Sequence, residues 1–370
     1  MVEYYPLYKK EDFDLYFDDV TPGLIFPLVL KRVLKPYFAF LYVIRWASVI
    51  HLPFSGGPLG QTIIWRLEAC LLRWAGVKTV LIPYGGDVYL YSKVIEPSLR
   101  NGLLLSYPQA ARNESTIARH VEYWTRQADV MLSGFMIDGI GRWDCTVFSA
   151  VVIDTEQWSP KTVYAMSDGH KDPVKVMHTP NHRGFKGTEY LIQAVNELKS
   201  EGLNVELVLL ENVPNEKIRE LMQEVDIFAE QFILGYAMSA IEAMASGLPV
   251  MSNLENEAYT RMFRRYTALN ECPILSAAPE NIKENLRILV TDPALRKQLG
   301  QAGRKYVEKY HSEETAQYLF GSIYDKILQG REVDLMNLFH PLKAEFNRQK
   351  PLIAHPLKEN KLPKDYQSKC

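Results

Sequence analysis

The stretch HTPNHRGFKGTEYL, residues 178 to 191, concentrates chemistry: Arg183 and Lys186 share a turn with Gly184 and Gly187. An apolar burst precedes it and helical periodicity follows, so the turn should join a strand end to a helix start. A helix start offers unpaired N–H groups and a partial positive charge, to which two cations add. Arginine supplies a planar donor fork and lysine a mobile point charge, a pairing suited to a diphosphate. The two glycines would let backbone approach an anion closely. Taken alone, the pattern also fits a solvated loop. A second cluster, QFILGYAMSAIEAMASGLPV (residues 231 to 250), sets Gly235 and small residues before a helix carrying Glu242. A carboxylate one to two turns into such a helix can accept bonds from a pair of hydroxyls, as on a ribose. The alternative, a solvent-facing helix residue, fits poorly with the small and apolar neighbours in AIEAMASG.

These residues need elements to hold them. From Lys171 onward, strand and helix alternate: VKVMHTP, VELVLLE, DIFAEQF and LPVMSN read as strands. Between the first two, Leu191, Ala194, Val195 and Leu198 fall on one helical face. Strands spaced by helices of this length imply right-handed βαβ units and a parallel sheet, hence a Rossmann-like half. The first half is similar in kind. ASVIHL and KTVLIPYGGD read as strands with GQTIIWRLEACLLRWAG as the helix between them. A helix through Ile117, Val121 and Trp124 then leads to the strand ADVMLS. The polar KTVYAMSDGHKD looks like a linker, giving domains at residues 1–158 and 173–330, a linker at 159–172 and a tail at 331–370. Two such halves leave a cleft, and open α/β sheets bind ligands outside the carboxyl ends of their strands.

The whole-chain numbers narrow the function. At 370 residues the chain suits two domains, and 47% hydrophobic with 23% charged residues describes a folded protein. A net charge of -2 argues against a nucleic-acid partner. Cys70, Cys145, Cys272 and Cys370 are scattered, without zinc spacing, which favours a reducing compartment. The acidic, aromatic start, including FDLYFDD, lacks a signal-peptide pattern, and its carboxylates read as structural. LVLKRVLKPYFAFLYVIRW, residues 28 to 46, mixes Lys31, Arg32, Lys35 and Arg45 with aromatics. It reads either as an interfacial amphipathic helix or as an ordinary helix and buried strand, and Pro36 favours two shorter elements. The tail lysines Lys358, Lys361, Lys364 and Lys369 could add attraction to anionic lipid, or form a solvated end. The expected location is cytoplasmic, with the inner face of the plasma membrane as the site of any peripheral contact.

Four landmarks carry a resemblance: KGTEYLIQAVNEL; ADV followed by VVIDTEQWSP; EAMASGLPV; and AGRKYVEKYHSEETAQYLFGSIYDKIL. In this order they resemble retaining glycosyltransferases of family 4, in particular a bacterial surface-polysaccharide branch. The likeness spans Ala128 to Leu328. It implies an α/β GT-B fold: two Rossmann-like domains facing a cleft, with a C-terminal helix returning toward the N-domain. The N-domain would face the acceptor and the C-domain a nucleotide-sugar donor. Arg183 and Lys186 would then act as the catalytic cations on the donor diphosphate, and Glu242 would hold the ribose. Gly235, Tyr236, Ala237, Met238 and Ser239 would line the donor sugar and phosphate, with Asn181 and Gly187 beside them. His51 or Asp87 would supply the polar contact of the N-domain, because Tyr84 stands where the family often has a histidine. His51 reads equally as a structural strand-end residue.

By the same resemblance no metal or other cofactor is expected, and the acceptor is a glycan or lipid-linked glycan of a capsule, lipopolysaccharide or exopolysaccharide. The sequence departs from the family at one carboxylate. Where Glu-x7-Glu is usual, Leu234 stands eight before Glu242, and Glu230 and Gln231 are the nearby substitutes. FSGGPLG, residues 54 to 60, could serve phosphate or acceptor, or be a plain turn. Two rivals remain: a sugar-nucleotide epimerase or hydrolase of the same fold, and a catalytically impaired subunit acting as a scaffold for a partner transferase or membrane lipid.

Overall fold

The computed structural model describes residues 28–134, 138–146 and 151–364. FDLYFDD, Cys370 and Lys369 lie outside the described residues. Helix α1 (Leu28–Trp46) leads to strand β1 (Val49–Leu52), then α2 (Glu68–Trp74) and β2 (Lys78–Leu81). Three helices follow, α3 (Pro97–Ser106), α4 (Pro108–Arg112) and α5 (Glu114–Gln127), before β3 (Val130–Ser133) and β4 (Cys145–Thr146). The second half runs β5 (Val174–His178), the single turn α6 (Arg183–Lys186), α7 (Thr188–Ser200), β6 (Val205–Leu209), α8 (Asn215–Leu221) and β7 (Ile227–Gln231). It continues with α9 (Met238–Ala245), β8 (Val250–Ser252), α10 (Glu257–Tyr266) and β9 (Leu275–Ser276). Helices α11 (Ile282–Thr291), α12 (Pro293–Tyr310), α13 (Glu313–Gln329) and α14 (Glu345–Gln349) close the chain.

Both sheets are parallel throughout. The first is ordered β1-β2-β3-β4 and the second β6-β5-β7-β8-β9. Strand β7 is buried at every position, as a strand covered by helices on both faces must be. In the second sheet the order reverses between β5 and β7: the chain leaves β5 toward β6 on one side and β7 toward β8 on the other. Such a switch point opens a crevice at the strands' carboxyl ends. Helix α13 returns to the first sheet, where Tyr324 donates to or accepts from His51 Nε2 at 2.9 Å and Phe320 packs on its ring.

Three features differ from the sequence reading. Residues 28 to 46 form one helix through Pro36 instead of two elements. Interior proline costs about 3 kcal/mol, and the apolar face with Ala39 and Phe40 buried beyond it holds the helix together. The helix expected over residues 60–76 is shorter: turns and a 3-10 segment (Trp65–Leu67) precede α2. Glu68 at its start is buried, and the loop before it wraps its carboxylate. Finally α3, α4, β9 and α14 carry too little periodicity to be read in advance. Among the described residues no helix is long and apolar enough to cross a membrane.

Candidate functional site

The switch point gathers side chains from three elements. Lys186, at the end of α6, sends its ammonium to Glu230 Oε1 at 2.5 Å and to Ser239 Oγ at 3.3 Å. Ser239 in turn donates to Glu230 Oε1 at 2.9 Å, and Ser252 to Glu230 Oε2 at 2.9 Å. The Glu230 side chain is wholly buried, and that of Lys186 is only 8% exposed. The buried carboxylate therefore accepts from one cation and two hydroxyls, the kind of pairing a carboxylate held away from water requires. The ammonium has three N–H groups and spends two here, which leaves one to offer to an incoming anion. Ser239 sits in the first turn of α9, whose cap, Ala237, makes no side-chain bond. The N–H groups of Met238 and Ser239 lack intrahelical carbonyls by construction, and Ala237 and Met238 are exposed.

The frame around this cluster is polar and tightly paired. His178, the last residue of β5, is buried and reaches Ala229 O at 2.7 Å and Thr188 Oγ1 at 2.9 Å. Burial pushes its pKa down to about 4, so it is a neutral strut tying β5, β7 and the start of α7. Gly235 turns with φ 51°, and its carbonyl accepts from Gln231 Nε2 at 3.1 Å. One turn along α9 from Ser239, Glu242 accepts from Asn215 Nδ2 at 3.1 Å. Partial burial raises the pKa of Glu242, while the Asn215 bond and the Lys186 charge oppose the rise.

Arg183 faces outward from α6. Its guanidinium pairs with Glu189 at 2.7 Å and Glu211 at 3.1 Å. Those bonds raise its pKa. Exposed pairs of this kind contribute roughly 0–1 kcal/mol, so a diphosphate can take the fork from them at little cost. Asn181 is exposed just before α6.

Several expected site residues do other work. Tyr236 turns inward: it is buried, and its hydroxyl meets Tyr306 at 3.1 Å and His311 Nε2 at 3.2 Å. Only its backbone remains with the loop that precedes α9. The glycines of the turn face protein, not open space. A Cβ on Gly184 would stand 3.0 Å from Leu105 Cβ of α3, and Phe185 N donates to Ser106 Oγ at 2.9 Å. Gly187 has φ 70°, and a Cβ there would meet Phe232 Cβ at 3.1 Å. Leu234 belongs with Ile233, Leu99, Leu103 and Tyr259 to an apolar cluster that bridges the two halves.

In the N-terminal half, Asp87 is buried and accepts from Phe54 N (2.9 Å), Gly85 N (3.0 Å) and Tyr84 N (3.1 Å). It clasps the loops after β1 and β2, and burial lifts its pKa to about 6. Glu68 does the same for FSGGPLG, accepting from Leu59 N at 2.9 Å and Gly57 N at 3.0 Å. Those N–H groups point at a protein carboxylate, so they do not form a phosphate cradle. His51 is engaged by α13 instead of standing over the loop that precedes α9. Glu68 was not singled out from the sequence, since nothing in its spacing marks it as buried. Among the described residues no group of three or more His, Cys, Asp or Glu is placed to hold a metal ion.

A family model described as glycosyl transferases group 1 matches residues 180–306, which span the Lys186–Glu230–Ser239 cluster and Glu242. No curated protein sequence matches the chain. Among solved structures, sucrose-phosphate synthase (tll1590) from Thermosynechococcus elongatus is similar at 14% identity and a TM-score of 0.52. That match covers 84% of this chain and 82% of the synthase chain. Anabaena Alr3699/HepE in complex with UDP-glucose is similar at 13% identity and a TM-score of 0.47, over 81% of this chain and 83% of that one. The C-terminal domain of the glycosyl transferase group 1 protein LpcC from Francisella tularensis matches at 16% identity and a TM-score of 0.32, covering 44% and 99%. The fold is thus α/β with two Rossmann-like parallel sheets, the GT-B arrangement.

Proposed function

We propose that the chain is a retaining, metal-independent glycosyltransferase. It would move a hexosyl unit from a nucleotide-diphosphate sugar to a glycan or lipid-linked acceptor of a surface polysaccharide. The observation that carries this reading is Lys186: a buried ammonium with one uncommitted N–H, set at the switch point beside the open first turn of α9. Breaking a glycosyl–phosphate bond develops negative charge on the departing diphosphate. Preorganised donors that wait for that charge lower the barrier most. Lys186, the N–H groups of Met238 and Ser239, and Arg183 released from its surface pairs supply such donors without a metal. Glu242, one turn deeper, faces where a ribose would lie. The departing phosphate takes the acceptor proton on the face it leaves, which retains the anomeric configuration. Placement at the inner face of a membrane is supported by α1, which exposes Val33, Leu41 and Trp46 near Arg45.

The test is calorimetry without added metal against UDP, GDP, ADP, CMP and TDP, with Arg183→Ala and Glu242→Ala alongside. One diphosphate should bind, and each variant should weaken it at least tenfold. Binding to none would remove the donor reading. A second reading, a scaffold that has lost turnover, is favoured by Leu234, which fills with apolar packing the position where the resemblance expects a carboxylate. Nucleotide binding with no sugar transfer or donor hydrolysis would select it.

A further inference from the structure

A groove of about 710 Å³ lies outside the switch point, between α10 and the chain segments at residues 340–342 and 358–361. Its walls carry five cations, Arg261, Arg264, Arg265, Lys358 and Lys361, against three carboxylates, Glu255, Glu257 and Glu359. Two of the carboxylates are already spoken for: Glu257 pairs with Arg261 at 2.5 Å, and Glu255 lies 4.0 Å from Lys361. Arg264 is fixed by Asn270 Oδ1 and Glu359 O, both at 3.0 Å. Arg265 and Lys358 have no side-chain partner among the described residues, so the groove holds a surplus of positive charge.

The far wall is built at a cost. Glu359 and Asn360 both have left-handed backbone, φ 52° and 65°, a conformation that glutamate rarely adopts and asparagine tolerates better. The turn they form brings Lys358 and Lys361 side by side, with paired backbone bonds of 2.8 and 3.0 Å. It is pinned from below: buried Asn360 donates to Cys272 O at 2.7 Å and Ile274 O at 3.3 Å. Its carbonyl accepts from Ser276 N of β9 at 2.8 Å. A solvated tail has no use for two left-handed residues locked to a sheet edge. Pro341 and Leu342, the latter 81% exposed, add apolar surface of the kind a sugar ring rests on. The other end of the groove is Leu254 and Glu255, next to Asn253. Asn253, which precedes them, donates from Nδ2 to Phe232 O at 2.8 Å and Ile233 O at 3.4 Å, which ties that chain segment to the end of β7.

We propose that this groove binds an anionic glycan, a chain bearing carboxylate groups. Its identity as a glycan rests on the glycosyltransferase reading; the binding of an anion rests on the charge of the groove itself. Calorimetry with a carboxylated oligosaccharide, oligogalacturonate, tests it at low and high salt, with its neutral methyl ester and inorganic tripolyphosphate as comparators. Oligogalacturonate should bind and the ester should not. The Arg265→Glu and Lys358→Glu variants, both surface changes, should each lose at least fivefold in affinity, and the double variant more. Thermal melts should match the native chain in all of them, showing that they fold, and binding of whichever nucleotide the native chain takes should stay within twofold, showing that the donor site is separate. Tripolyphosphate binding without oligogalacturonate binding would overturn the glycan assignment, as would oligogalacturonate binding that the variants leave unchanged. Failure of the native chain to bind any of the five nucleotides sinks the donor reading and leaves the groove to stand or fall on its own titration.

Discussion

Replacing Lys186 separates its structural role from its functional one. Lys186→Met would strand Glu230, whose side chain is wholly buried, with only the Ser239 and Ser252 hydroxyls for company. Removing one partner of a buried ion pair costs about 3–5 kcal/mol, because the remaining charge is uncompensated. For a domain of this size that is a fall in Tm on the order of 10 °C. Adding Glu230→Gln removes the orphaned charge and keeps one oxygen to accept from Ser239, while the hydroxyl of Ser252 can turn to the Gln231 or Gly235 carbonyl. The double variant should regain most of the loss, to within about 2 kcal/mol of the native chain, since two interacting residues are non-additive. On the proposed reading, in which the ammonium meets the diphosphate, nucleotide binding should not return with it. Thermal melts and calorimetry on the native chain, both single variants and the double variant read the two effects apart. A Lys186→Met protein that melts like the native one would refute the buried pair. A stable double variant that still binds its diphosphate within twofold would refute the role of Lys186 at the donor.

Burial lifts Glu68 to about 7 and Asp87 to about 6, above the ordinary 4.5 and 3.8, so the folded N-terminal half holds these protons more tightly than the unfolded chain. Their stabilising contribution is complete below about pH 4 and lost as pH rises through 6 to 7, about 3 kcal/mol for Glu68 alone. These two carboxyls pull the melting temperature down from pH 5 to pH 7.5, while buried neutral His178 and His311, both depressed to about 4, pull it up. The difference between chains is therefore what reads the effect. The melting temperature of Glu68→Gln should rise more, or fall less, over that range than that of the native chain, and an equal slope in the variant would place the titration elsewhere. His51 is held by Tyr324 and Phe320, so His51→Gln should change kcat less than threefold. A loss of a hundredfold or more would return it to the reacting atoms.

The C-terminal sheet was legible because its information is local. Buried parallel strands read as apolar runs, α7 shows its stripe at Leu191, Ala194, Val195 and Leu198, and a strand end before a helix start marks where an anion fits. The N-terminal half hides its logic in distant partners. His51 and Tyr324 are separated by 273 positions, and no spacing rule joins them. Glu68 and Asp87 have the composition of surface carboxylates and become buried only because loops fold over them. Gly184 shows why a motif alone is ambiguous. A glycine permits close approach without saying of what, and here the neighbour is Leu105 of α3 and not a phosphate. Leu234 and Glu230 make the same point together. Along the chain, Leu234 looks like a lost carboxylate; in space, Glu230 supplies a carboxylate beside Lys186 while Leu234 joins the two halves. The carboxylate thus stands on strand β7, where it fixes the lysine, and the loop position four residues on goes to apolar packing between the two halves.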